Sequence, residues 1–148
     1  MSKLKVSSEW WTAPTESEDG HLIIVTGRSD IDHLRRTGKY NVRVEITWQY
    51  PPTEDGMPDY QTSSLMEKVT DALNATFDED PIGIMTGIYT GDMERNWIFY
   101  CTSVNIFCRK LNESLDEFET LPISLSAYND PQWCEYDEMT ESRLEIGE

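Results

Sequence analysis

The chain has 148 residues, 28 of them acidic and 12 basic, for a net charge of −16, and such a surface repels phosphate backbones and argues against direct nucleic-acid binding. With 38% hydrophobic and 11% aromatic residues, five of them tryptophan, it can bury a core and is not a disordered acidic tract. No run approaches the ~18 apolar residues that would span a bilayer, and Met1-Ser2-Lys3-Leu4-Lys5-Val6 lacks the apolar stretch of a signal peptide.

In chain order, Glu9 to Ala13 predicts a first strand. Thr15-Glu16-Ser17-Glu18-Asp19-Gly20 predicts a hairpin turn, and His21 to Arg28 a second strand, apolar on both faces and therefore internal. Ser29 to Lys39 reads as a polar connection with a helical turn around Ile31 and Leu34. Tyr40 to Tyr50 is the clearest strand: Val42, Val44, Ile46 and Trp48 alternate with Arg43, Glu45, Thr47 and Gln49, which predicts one core face and one polar face. After Pro51-Pro52, a helix over Thr62 to Thr76 carries Leu65, Met66, Val69, Ala72, Leu73 and Phe77 on one stripe. Ser64 and Glu67 suggest a capping box at its start.

Ile82 to Tyr89 and Asn96 to Thr102 predict two strands joined at Gly91-Asp92. Ser103 then caps a helix with Val104, Phe107, Cys108 and Leu111 inward, and Leu121 to Tyr128 alternates as a last strand. The fold class expected is α+β: a ferredoxin-like split βαβ antiparallel sheet with two helices on one face, extended by an N-terminal β-hairpin. A single domain over 1–148 follows, with the hairpin at about 9–28, the βαββαβ core at about 40–128 and an acidic C-terminal segment at about 129–148. From Leu111 onward eleven acidic residues face one base, Arg143, so the end of the chain, from Met139, is expected to fray.

Arg95-Asn96-Trp97-Ile98-Phe99-Tyr100, Asp130-Pro131-Gln132-Trp133-Cys134-Glu135-Tyr136, and Ile46-Thr47-Trp48-Gln49-Tyr50 with Asp55-Gly56-Met57-Pro58 resemble the bacterial family called domain of unknown function 695, from about Glu9 to Tyr136. That resemblance implies no catalytic residue, because the family has no established activity. Its pattern is similar in fold to the regulator of ribonuclease activity B, an acidic inhibitor of an RNA-degrading enzyme, which is an analogy of fold rather than of function.

The candidate ligand- or partner-binding residues are Arg95, Tyr100, Tyr128, Asp130 and Trp133. Arg95 could clamp a carboxylate or phosphate, or pair with a nearby acid such as Asp130. Tyr100 and Tyr128 offer phenols on the sheet face expected to be open. Trp133 and Tyr136, three apart, either close the core or cover a pocket. His21 and His33 have no metal-ligand spacing, and Cys101, Cys108 and Cys134 form no paired framework, so no metal, no cofactor and a reducing cytoplasm are expected. No catalytic signature is present. The reading is a soluble, acidic binding or regulatory module that meets a protein partner or a second copy of itself, with no membrane. The alternative is a small enzyme or ligand-binding protein with a pocket near Arg95, Tyr100 and Asp130.

Overall fold

Alternating apolar and polar residues give Val42–Gln49 two unlike faces. In the computed structural model, which describes residues 7, 9–51, 53–79 and 82–145, this segment is strand β3 of a six-stranded antiparallel sheet. The other strands are β1 (Trp10–Glu16), β2 (Leu22–Arg28), β4 (Gly83–Gly91), β5 (Glu94–Cys101) and β6 (Ile123–Asn129). They stand in the order β1-β2-β4-β5-β3-β6, so the hairpin β1–β2 extends the sheet beyond β4 and β6 forms the opposite edge.

Helices α2 (Tyr60–Glu79) and α3 (Val104–Ser114) cover one face over β4, β5 and β3. Their stripes supply Met66, Val69, Leu73, Phe77, Phe107 and Leu111, which meet Val44, Ile46, Trp48, Met85, Trp97 and Phe99. Phe77, Phe99 and Phe107 form a closed trio with ring centroids 4.9–5.0 Å apart. α3 begins at Ser103 as its sequence requires, the hydroxyl accepting from the Ile106 amide. α2 begins earlier than Ser64: Asp59 accepts from the Thr62 amide at 2.8 Å, and Ser64 and Glu67 lie exposed inside the helix. Asp59 is the better cap because a carboxylate also complements the helix N-terminus.

The second face is not open as expected. Helices α1 (Asp32–Arg35) and α4 (Cys134–Glu145) pack there, building a second core from Val25, Ile31, Leu34, Tyr40, Ile84, Ile98, Tyr100, Trp133, Tyr136 and Met139. The expected fraying of Met139 to Glu148 is corrected as far as Glu145, where α4 ends: Met139 is buried over Gly87, and a Cβ added at Gly87 would stand 2.6 Å from its sulfur, while residues 146–148 lie outside the described residues. The polar stripe of β3 is partly covered, with Arg43 and Glu45 half-buried and only Gln49 exposed.

The turn between β4 and β5 is Asp92-Met93, both at positive φ (54° and 68°), a backbone twist that suits a two-residue hairpin. A methionine in that region is strained. Here the Met93 amide donates to the Gly56 carbonyl at 2.9 Å and the Met93 carbonyl accepts from the Tyr50 amide at 3.1 Å, which pins it.

Candidate functional site

Strand parity separates the residues singled out in the sequence. Arg95, Trp97 and Phe99 point to the α2 side, whereas Asn96, Ile98 and Tyr100 point to the α4 side. The structure therefore brings Tyr100, Asp130 and Trp133 together and leaves Arg95 on the other face. The Arg95–Asp130 pair is replaced by two others: Arg43 Nη1 reaches Asp130 at 2.8 Å, and Arg95 Nη1 reaches Glu67 at 3.1 Å.

On the α4 side, Asp130 is a node. Its carboxylate accepts from the Tyr100 hydroxyl (2.8 Å), Arg43, and the amides of Cys134 (2.9 Å) and Glu135 (3.3 Å) at the start of α4. Burial opposes its ionisation, but the Cys134 amide, Tyr100, the Glu135 amide and Arg43 together outweigh that and hold its carboxyl below the ordinary range. Trp133, at φ 57°, stacks on Tyr100 with centroids 4.5 Å apart and donates its indole N–H to the Tyr40 carbonyl at 2.8 Å. Tyr128 stands exposed on β6 beneath the Arg43 guanidinium, 4.6 Å from its ring centroid. These contacts dock α4 onto the sheet and bury Tyr100 and Trp133 in the second core.

Beside them, Glu135 is half-buried. Its Oε2 accepts from the Tyr89 hydroxyl at 2.5 Å, while its buried Oε1 has no partner among the described residues. Burial pushes its carboxyl up to about 7, against the pull of Tyr89 and Arg43. At the hairpin tip, the ligating atoms of Asp19, His21 and Asp92 lie within 4.8 Å of one another; His21 Nδ1 is hydrogen-bonded to Asp92 at 2.8 Å, so the group fastens the hairpin to the β4–β5 turn.

Arg95 lies in a cleft of about 460 Å³ between α2 and the β1–β2–β4 end of the sheet. The helix wall is Ser63, Glu67, Thr70 and Asn74, a polar stripe at i, i+4, i+7 and i+11 beside the apolar one. The sheet floor is Ile24, Thr26, Ile88 and Thr90, with Trp10 at one side and Met57 and Pro58 at the lip. That lip is held by Gly56, at φ 76°, whose carbonyl accepts from the Tyr50 hydroxyl at 2.6 Å as well as from Met93. Two of the segments that carry the family resemblance, Asp55 to Pro58 and Arg95 to Tyr100, thus meet at this cleft.

Arg95 is only 9% exposed. Its Nε donates to the Thr90 hydroxyl at 2.9 Å, and its guanidinium lies 5.8 Å from the Trp97 ring centroid. Thr70 accepts from the Trp97 indole at 2.9 Å and donates to the Met66 carbonyl. Asn74 Oδ1 is buried with no partner among the described residues. The arginine's partner Glu67 is 66% exposed and can swing into water, which frees a rigid, desolvated guanidinium for another carboxylate. The polar stripe of α2 is the signal the sequence analysis missed: its spacing was legible, its facing was not.

Comparisons with curated proteins and with solved structures find no match. Residues 9–139 match the family of unknown function DUF695, and the chain belongs to that family.

Proposed function

We propose that the protein is a binding module whose Arg95 cleft takes a small carboxylate with an apolar body. The observation that carries this is the pairing of a nearly buried arginine with a largely exposed glutamate in the lining of a cleft about 460 Å³ in volume, within the size range of small-molecule sites. The ligand carboxylate displaces Glu67 from Arg95 Nη1, its body lies on Ile24, Ile88 and Trp10, and a donor group on it satisfies Asn74 Oδ1. The arginine is held by Thr90 before the ligand arrives, so little side-chain entropy is lost on binding.

Binding rather than catalysis fits the lining. Among the described lining residues there is neither histidine nor cysteine, and Glu67 is the one acid. A regulatory role in a reducing cytoplasm fits three free cysteines, of which Cys101 is buried and Cys134 exposed. No helix among the described residues is long and apolar enough to cross a membrane.

The test is a melting-temperature screen of aromatic carboxylates against their neutral amides, since a ligand that favours the folded state raises its stability. The carboxylates raise the transition and the amides do not; equal shifts for both would sink the proposal.

A further inference from the structure

The cleft beside α2 has two unlike ends, and strand register orders what lies between them. Ile24 pairs with Thr90 and Thr90 with Arg95, so these three mark one end. One step along, Thr26 pairs with Ile88 and Ile88 with Trp97, whose indole N–H donates to Thr70. Trp10 pairs with Arg28, two residues past Thr26, and its ring centroid lies 4.6 Å from the Arg28 guanidinium carbon. Arg28 in turn reaches Asp78, one turn beyond Asn74 on α2. Trp10 and Asn74 therefore close the far end.

Both ends carry an anchor. Glu67, the partner of Arg95, and Asn74 are seven residues apart on α2, which separates them by ~10 Å along the helix axis. Thr70, between them, is engaged: it accepts from Trp97 and donates to the Met66 carbonyl. Asn74 is not. Its Oδ1 is buried without a partner among the described residues, in the lining of the cleft. A buried acceptor left unpaired costs stability, and the soft χ2 of asparagine lets the carboxamide turn toward an occupant.

We propose that the occupant is the C-terminal tail of another protein, bound extended, with its terminal carboxylate on Arg95 and the N–H of its third-last residue on Asn74. This rests on the carboxylate reading of the cleft and adds the second anchor. An extended chain advances about 3.4 Å per residue, so three residues span the ~10 Å between the anchors. Side chains alternate along it. With the last one on Ile24 and Ile88, the one two earlier reaches Trp10, while the backbone runs beside the polar wall of α2. A single residue with a free carboxylate brings no donor that far, and an aliphatic acid of any length brings none. The tail supplies both groups at the spacing the helix sets.

Isothermal titration of the full chain tests this with four probes: N-acetyl-leucyl-alanyl-phenylalanine, the same peptide methylated on the leucine nitrogen, its C-terminal amide, and N-acetylphenylalanine. The tripeptide acid binds the wild type about tenfold tighter than its N-methyl form, which lacks the donor for Asn74. It also binds tighter than N-acetylphenylalanine, and the amide does not bind. In Asn74→Leu the tripeptide and its N-methyl form come within about twofold of each other, because the acceptor is gone. Circular dichroism checks that this variant is folded; should it unfold, the comparison on the wild type decides alone. An N-methyl form that binds the wild type as tightly as the tripeptide, or a tripeptide no tighter than N-acetylphenylalanine, overturns the tail and leaves the carboxylate reading standing. An amide as tight as the acid, or no binding of either acid, overturns both.

Discussion

The Tyr100 hydroxyl donates to Asp130 at 2.8 Å and ties the central strand β5 to the start of α4. The bond lies at the meeting point of three elements, because Arg43 of β3 reaches the same carboxylate and the first amides of α4 turn toward it. Its loss affects more than one contact.

Tyr100→Phe removes one buried donor but leaves Asp130 with Arg43 and two amides, so it costs about 1–2 kcal/mol. Asp130→Ala strips Arg43 and the α4 amides of their acceptor together and costs more, about 3–5 kcal/mol. Urea unfolding of the two variants checks the ranking; equal losses would mean that Asp130 does not anchor α4.

The Trp97 indole N–H has Thr70 as its acceptor. Thr70→Val keeps the shape and leaves that buried donor unpaired, a loss of about 1–3 kcal/mol in the same assay. Thr70→Ser restores the acceptor and recovers most of it.

Glu135 gives stability a pH dependence whose sign is fixed. Its folded carboxyl holds a proton up to about 7 against an ordinary 4.5, so the folded state binds more protons than the unfolded chain across that window. Stability therefore falls as pH rises from about 4.5 to about 7, by about 3 kcal/mol, and is level above it. The groups facing it are Tyr89, Arg43, Glu45 and Asp130, and Asp130, with its lowered pKa, titrates below this window. Glu135→Gln flattens the slope. Chemical denaturation at pH 5 and pH 8 reads it directly, and an unchanged slope in the variant would assign the effect elsewhere.

Much of the sheet was legible because alternation is a local property. Val42 to Trp48 states its own faces, and Trp97 and Phe99 belong with them by parity. The pairing of Arg95 was not legible: parity says that it shares a face with Trp97, but nothing local says which face Asp130 joins after the chain leaves β6. α4 was hidden by its composition. Trp133 and Tyr136, three apart, already read as closing the core or covering a pocket, but Met139 is a lone apolar point among acids, so the segment from there reads as frayed until Gly87 is in place beneath it; Tyr136 is fixed by a 2.5 Å bond to the Arg28 carbonyl. The cleft depends on an offset between α2 and the hairpin, a tertiary quantity that no single segment encodes.

The central claim is that Arg95 exchanges Glu67 for a ligand carboxylate. Isothermal titration of indole-3-acetate, whose ring suits the Trp10 wall, into the wild type, Glu67→Gln and Arg95→Gln tests it most directly. Binding to the wild type, at least threefold tighter binding to Glu67→Gln because the internal competitor is gone, and none to a folded Arg95→Gln is the result expected. Binding that survives Arg95→Gln, or that is matched by indole-3-acetamide, would contradict it.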